Sequence, residues 1–139
     1  MKGQVSNPGN VMEVLLVEDD PRQVELTKIA IAEAHVTNRL TVVESAQDAL
    51  EFLHREGAYR HAPRPNLILL ALDMPRRNNE EVLQDIKADP ELKGIPVVTM
   101  TSSLLVKHLK KEWLQRGIAT CAALWHHQSG SVVDLRLAA

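Results

Sequence analysis

Acidic and hydroxyl side chains stand directly after two apolar segments of this sequence. Glu18 and Asp19 follow the apolar residues 11–17, and Thr101 follows residues 95–100. Clustered carboxylates repel one another and bind a hard divalent cation such as Mg²⁺, and a hydroxyl beside them can bind a phosphoryl oxygen. These residue types indicate a carboxylate site suited to metal and phosphate chemistry.

A third apolar segment, residues 66–71, ends without a reactive side chain. It is interpreted as a buried strand that runs out into the polar loop of residues 73–79, and its last residue is Ala71. The surroundings of a carboxylate site are present around Ala71, while the central carboxylate is missing. The next carboxylate along the chain, Asp73, lies two residues further on in the loop.

Strand and helix patterns alternate along the chain and must position these residues. Short apolar or β-branched runs predict five strands, at residues 11–17, 39–43, 66–71, 95–100 and 119–124. Helical spacing predicts helices at residues 22–34, 46–55, 80–88 and 104–116, with at most a short terminal helix in residues 131–139. This alternation predicts a parallel sheet with helices on both faces and a crevice at the carboxyl ends of the strands.

Two of these helices carry finer signals. Leu26, Ile29 and Ala30 are expected on the inner face of the first helix. Ser45 is expected to cap the second helix, with Asp48 in the capping-box position.

Composition and charge limit the class of protein. The chain has 139 residues, of which 45% are hydrophobic, and this predicts one domain at residues 12–139 after a flexible lead at residues 1–11. The net charge of −2 and the aromatic content of 3% argue against nucleic acid as a partner. Cys121 is the only cysteine, so no intrachain disulfide can form. Without a signal peptide or an apolar run of membrane length, the chain is expected to be cytoplasmic and to have no membrane contact.

Three motifs together resemble a response-regulator receiver domain: LLVEDDP at residues 15–21, LDMP at residues 72–75 and PVVTMTS at residues 96–102. The resemblance runs from about residue 13 to residue 139. The basic, proline-bearing residues 59–65 and the run LQDIKADPEL at residues 83–92 are most similar to the phytochrome-associated, Rcp-type subgroup. The resemblance implies a flavodoxin-like (βα)5 fold with the strand order 2-1-3-4-5.

The family implies a reaction in which an aspartate at the end of the third strand takes a phosphoryl group from a phosphohistidine of a sensor kinase. The resemblance implies that Glu18 and Asp19 form an acidic pair for Mg²⁺, that the Asp73 carbonyl faces the metal and that Thr101 is the switch hydroxyl. It also implies that Ala71 replaces the phosphoacceptor. Since one ligand is missing, Mg²⁺ is expected to bind weakly, and no other cofactor is expected.

Further departures from the family pattern accompany Ala71. Counted on from Gly117 without a gap, Leu124 stands where the family has its lysine, and Trp125 where it has a proline. Asn79 replaces a loop glycine, and asparagine tolerates left-handed backbone geometry better than most residues. Without a bound phosphoryl group a lysine would have no anion to pair with, so the losses are coherent and indicate a natural, degenerate receiver.

The expected function is therefore protein–protein interaction in a two-component pathway, without phosphorylation and without enzymatic activity. The resemblance implies a sensor histidine kinase of the phytochrome type, or another receiver, as the partner, and a homodimer. Leu105, Lys110 and Trp113 lie on the fourth predicted helix, which belongs to the face that receivers use for partners and dimers. Two alternatives stay open: a working phosphoacceptor at Asp73, and a decoy that occupies the docking surface of the kinase.

Other polar side chains have a plainer interpretation than a site. His126 and His127 match no zinc-binding spacing and are interpreted as loop histidines. Four arginines before and after the third strand could meet an acidic partner but are more simply solvated charges, and these are Arg60, Arg64, Arg76 and Arg77.

Overall fold

The computed structural model describes residues 11–33, 37–74, 77–100 and 132–135. Its elements follow one another as β1 Met12–Val17, α1 Pro21–Glu33, β2 Asn38–Val43, α2 Ala46–His54, β3 Leu67–Ala71, β4 Asp73–Met74, β5 Arg77–Asn78, α3 Glu80–Ala88, β6 Val97–Met100 and β7 Val132–Leu135. A 3-10 turn at Gly57–Tyr59 lies between α2 and β3. Among the described residues, no helix has the length and apolar character that a membrane crossing needs.

Five of these strands form one parallel sheet in the order β2-β1-β3-β6-β7. The first four strands of the main sheet follow the predicted order 2-1-3-4, so the predicted α/β fold class is confirmed, while β7, beside β6, is a later segment than the predicted fifth strand at residues 119–124. The chain first adds β2 on one side of β1 and then places β3 on the other side. A reversal of this kind opens a crevice at the carboxyl ends of β1 and β3.

The central strand β3 has a strand on each side and a layer of side chains on each face, and all five of its residues are buried. On one face Leu70 lies in a core cluster with Phe52 of α2 and Ile86 of α3. On the other face Leu69 lies in a second cluster with Ile31 of α1. Burial on both faces explains why this strand is a continuous apolar run rather than an alternating one.

Helix α1 buries a different stripe from the predicted one. Its buried residues are Thr27, Ala30 and Ile31, whereas Ile29 is 45% exposed, so the expectation that Ile29 faces the core is wrong. The Thr27 hydroxyl donates to the Gln23 carbonyl at 2.8 Å, which satisfies this polar group inside the core. The sequence of α1 offers two apolar stripes of similar quality, and packing against the sheet selects one of them.

Helix α2 begins and ends as its local sequence allows. The Ser45 Oγ accepts a hydrogen bond from the Asp48 amide at 3.0 Å, which confirms Ser45 as the cap. At the other end Arg55 adopts the left-handed conformation with φ 56°, and its amide donates back to the last helical turn. Gly57 follows with φ 58°, a geometry that glycine adopts without strain.

Two predicted segments have a different structure. Residues 73–79 were expected to be loop, but β4 and β5 pair as a short antiparallel ribbon, with Asp73 opposite Asn78 and Met74 opposite Arg77. The pairing gives partners to backbone groups that a loop beside the core would leave unsatisfied.

The tail is the second correction. At most a short terminal helix was expected in residues 131–139, but Val132–Leu135 forms β7, which pairs with β6 from Val97↔Val132 to Met100↔Leu135. The β-branched valines suit a strand, and the edge of β6 supplies backbone partners that an isolated tail lacks. The strand predicted at residues 119–124 and the helix predicted at residues 104–116 lie outside the described residues.

Candidate functional site

The carboxyl ends of β1, β3 and β6 lie side by side. Val17 pairs with Leu70, and Ala71 pairs with Met100. Glu18, which directly follows Val17, is therefore level with Ala71 on the neighbouring strand. Since adjacent strands lie about 4.8 Å apart, the register brings Glu18 and Ala71 to the same edge of the sheet.

The acidic side chains after β1 differ in role: Glu18 is buried at the strand end, and Asp20 caps α1. Glu18 is a buried carboxylate, 2% exposed, whose Oε2 accepts a hydrogen bond from the Asp20 amide at 3.3 Å. Asp19 is half-buried. The Asp20 Oδ1 accepts from the Arg22 amide at 2.9 Å, so Asp20 caps α1. Sequence reasoning missed this role, although an aspartate directly before Pro21 is a recognisable capping signal.

Ala71 closes β3 inside the core, with 2% of its surface exposed. Its carbonyl oxygen accepts a hydrogen bond from the Asn79 Nδ2 at 2.6 Å. The next carbonyl, of Leu72, accepts from the Asn79 amide at 3.0 Å. Asn79 thereby ties the start of α3 to the end of β3, on either side of the β4–β5 ribbon.

Asn79 does not behave as its position in the sequence suggests. Its backbone has φ −87° and ψ 18°, so it does not adopt the left-handed geometry that a replaced glycine suggested. It precedes α3 without capping it, because its side chain turns back to β3 instead. The side chain is fully buried, and its Oδ1 has no hydrogen-bond partner among the residues that the structure describes. Such an unsatisfied acceptor costs about 1–3 kcal/mol, so the contact with Ala71 is maintained against a penalty.

The described residues do not assemble a metal site. Within them, no group of three or more His, Cys, Asp or Glu side chains could hold a metal ion. Glu18 and Asp19 contribute two carboxylates, and of Asp73 only the backbone is described, paired with Asn78. Weak Mg²⁺ binding therefore stays a prediction, and no chemical step is derived through a metal.

The remaining predicted site residues lie outside the part of the chain that the structure describes. They are the switch hydroxyl, the position of the lost lysine, the proposed interface on the fourth helix and the loop histidines, namely Thr101, Leu124, Leu105, Lys110, Trp113, His126 and His127. Their roles stay predictions.

Basic side chains near α2 make contacts with α3 and the turn after it. The Arg64 Nη1 donates to the Leu53 carbonyl at 3.1 Å, and its Nη2 lies 3.2 Å from the Glu91 Oε1. The His54 Nε2 lies 2.7 Å from the Asp85 Oδ2. The interpretation of Arg64 as a merely solvated charge is therefore wrong, because its guanidinium joins the Leu53 carbonyl to the Glu91 side chain.

Tyr59, beside α2, has a phenol whose pKa is raised. Its ring packs against Phe52 with centroids 5.6 Å apart and the planes inclined by 59°. Burial raises the pKa of the Tyr59 phenol above 10.0, and the carboxylates of Asp48 and Glu51 raise it further. These causes belong to the packing of α2, so the shift marks a structural environment and not a reactive one.

Known proteins of similar sequence belong to one family. A sequence model of the response regulator receiver domain matches residues 14–122. The response regulator Rcp1 of Synechocystis sp. is 41% identical over 98 residues, which span 70% of this chain and 65% of Rcp1.

Two crystal structures of similar proteins cover most of the chain. The phosphorylated cyanobacterial phytochrome response regulator RcpA superimposes with a TM-score of 0.61 and 32% identity, over 84% of this chain and 88% of that one. The Mn²⁺-bound form of Rcp1 superimposes with a TM-score of 0.62 and 30% identity, over 84% of this chain and 90% of that one. RcpA is thus known in a phosphorylated form and Rcp1 in a metal-bound form.

Proposed function

Because the chain belongs to the response regulator receiver domain family, we propose that it is a two-component receiver that works without phosphorylation at the end of β3. It lies in the Rcp-like, phytochrome-associated branch and acts by binding a partner protein. Its receiver domain extends over residues 12–139, after a lead at residues 1–11.

The observation that carries this proposal is the buried methyl group of Ala71 at the end of β3. Phosphoryl transfer to a receiver forms a bond between phosphorus and a nucleophilic side-chain oxygen. Ala71 has no such oxygen, and the carboxylate level with it, on Glu18, is 2% exposed. Ordinary phosphorylation at this strand end is therefore excluded by chemistry.

A phosphodonor assay tests the proposal directly. The full chain is incubated with acetyl phosphate or phosphoramidate in the presence of Mg²⁺, and its intact mass is measured. RcpA, treated in the same way, serves as the positive control. We expect no adduct on this chain, and a stoichiometric phosphoryl adduct would refute the proposal.

A phosphoacceptor at Asp73 is the alternative that the same assay decides. Asp73 is the first residue of β4, two residues beyond Ala71, and its backbone pairs with that of Asn78. If Asp73 accepts phosphate, the adduct is labile to hydroxylamine and disappears in Asp73→Asn. Absence of any adduct on the unsubstituted chain removes this alternative.

A sensor histidine kinase of the phytochrome type is the proposed partner, and two measurements define how the chain meets it. In a competition assay, excess chain is added while a kinase transfers phosphate to an intact receiver. Slower transfer supports a decoy that occupies the docking surface, and unchanged transfer eliminates the decoy. Light scattering over a dilution series tests the proposed homodimer, which predicts twice the mass of one chain at high concentration.

A further inference from the structure

The strand β2 has an outer edge that none of the described strands covers. It stands first in the sheet order β2-β1-β3-β6-β7, and among the described strands only β1 pairs with it. The Glu18 amide donates to the Val43 carbonyl at 2.9 Å, so the odd-numbered residues of β2 direct their backbone groups to β1. Since successive residues of a strand direct these groups to opposite sides, the amides and carbonyls of Leu40 and Val42 point to the outer edge.

The residues of this edge favour strand pairing. The sequence of β2, NRLTVV, contains no proline and no lysine. Its one charged side chain belongs to Arg39, whose Nε lies 3.3 Å from the Glu13 Oε2 on β1. Leu40 and Val42 are only partly buried against the core cluster beneath α1, and Leu40 also lines an open pocket with Ile31. Natural sheets protect exposed edges with proline, lysine or a covering segment, so this edge is suited to another strand.

We propose that β2 pairs in the antiparallel direction with β2 of a second copy of this chain, and that Thr41 lies opposite its counterpart on a two-fold axis. The inference rests on the proposed function, because it names the interface of the homodimer proposed there. A two-fold axis makes both contact surfaces the same strand and closes the assembly at two copies. The two five-stranded sheets then form one continuous sheet.

The register follows from the residues at the edge. With Thr41 on the axis, Leu40 of each copy is opposite Val42 of the other, and the two strands exchange hydrogen bonds through the outward groups of these residues. The partly buried side chains of Leu40 and Val42 then cover one another on the α1 face of the sheet. On the other face, the two threonines form a non-hydrogen-bonded pair with Cα atoms about 4.5 Å apart, and Arg39 is opposite Val43. No like charges face each other, so the strand is complementary to itself.

Charge at position 41 tests this register. Thr41→Lys and Thr41→Glu each place two like charges opposite one another at the axis, whereas an equimolar mixture of the two variants pairs opposite charges there. In light scattering over a dilution series, we expect each variant alone to have a dimer dissociation constant at least about fivefold above that of the unsubstituted chain. We expect the mixture to be as dimeric as the unsubstituted chain. Because the mixture contains the same substitutions, its recovery shows that neither variant loses the dimer by misfolding.

A cross-link provides a second measurement that does not depend on charge. In a Cys121→Ser background, Thr41→Cys brings two thiols to the axis, with Cα atoms inside the range of about 4.4–6.8 Å that a disulfide spans. Oxidised glutathione takes up the two electrons and two protons as the disulfide forms, and a non-reducing gel shows the covalent dimer. Ile29→Cys in the same background is the control, because Ile29 is 45% exposed but belongs to α1. We expect the covalent dimer with Thr41→Cys and not with Ile29→Cys.

The results that contradict the inference differ from those that contradict the proposed function. If the unsubstituted chain has the mass of one chain at every concentration, both the proposed homodimer and this interface are wrong. If the dimer persists in both charged variants, or dissociates only in Trp113→Ala on the predicted fourth helix, the homodimer is retained and the β2 interface is wrong. A phosphoryl adduct on the unsubstituted chain contradicts the proposed function in a separate assay, so the two failures are distinguishable.

Discussion

Tyr59 is the only tyrosine of the chain, so its titration can be read without overlap from other phenols. Its pKa is raised above 10.0 by burial first, and by Asp48 and Glu51 next. We expect the ultraviolet absorbance of the native phenol to titrate with a midpoint above 10.0, and Glu51→Gln to lower that midpoint. Glu81→Gln removes an exposed carboxylate of α3 instead and should leave it unchanged.

The same shift fixes the sign of a stability effect at alkaline pH. Between the unfolded and the folded pKa, the folded state holds the Tyr59 proton and the unfolded state has lost it. The contribution of Tyr59 is therefore complete below about pH 10 and is lost as the pH rises through the raised pKa. A native midpoint at or below 10.0 would contradict this environment of the ring.

The residue type of Asn79 does not determine which group its side chain binds. Its chemistry is visible in the sequence, since an asparagine directly before a helical pattern is a good cap. Its actual partner is the carbonyl of Ala71, eight residues earlier, and the helix is left without a side-chain cap. The choice between two acceptors within reach depends on how α3 lies against β3, which no local pattern encodes.

Among the elements, α2 provides the simplest test of a local interaction. Ser45→Ala removes the hydroxyl that accepts from the Asp48 amide at 3.0 Å. We expect a loss of about 1 kcal/mol in the free energy of unfolding, seen as a lower urea midpoint with an unchanged slope. Ser45→Asp keeps an acceptor at the cap and is the matched control. Equal losses in the two variants would show that the hydroxyl does not act as a cap.

Arg64 links elements that no local pattern joins. Arg64→Ala removes both the bond to the Leu53 carbonyl at the end of α2 and the ion pair with Glu91 in the turn after α3. The Glu91 side chain is 78% exposed, so the pair itself contributes little. We expect Arg64→Ala to cost about 1 kcal/mol, mainly through the lost carbonyl bond.

Glu91→Ala is the partner variant for that measurement, because it removes the ion pair and leaves the carbonyl bond in place. It should cost less than about 0.5 kcal/mol. If Glu91→Ala costs as much as Arg64→Ala in urea denaturation, the contact with Leu53 is not the stabilising one.

At the level of elements, β1, β3, α2 and α3 could be predicted because each shows its burial in its own residues, and β2 because it is rich in β-branched residues. The burial of α1 could not, because Leu26, Ile29 and Ala30 form as good a stripe as Thr27, Ala30 and Ile31. The ribbon of β4 and β5 could not be predicted either. Two-residue strands have no hydrophobic period, and they pair only because the ends of the loop are held together.

For the molecule as a whole, the strand β7 is the feature that distinguishes sequence prediction from structure. If Val132–Leu135 completes the sheet, a chain ending at residue 131 loses the backbone bonds to β6. We expect such a chain to be destabilised by at least about 2 kcal/mol, since several hydrogen bonds of about 0.5–1.5 kcal/mol each disappear. The measurement is the urea midpoint of the truncated chain.

A chain ending at residue 135 is the control, because it keeps β7 and removes only the last four residues of the sequence. It should match the full chain in stability. If the chain that ends at residue 131 has the same urea midpoint as the full chain, another segment, such as the predicted strand at residues 119–124, completes the sheet.

The sequence by itself determined the alternation of strands and helices and the residue types at the strand ends, including the methyl group of Ala71. These follow from hydrophobic period and residue chemistry, which act locally. Only the tertiary structure decided that Glu18 is level with Ala71, that Asn79 binds the Ala71 carbonyl and that the tail pairs with β6. Those contacts depend on the register and packing of segments far apart in sequence, where several local patterns fit equally well and only burial against neighbours selects one.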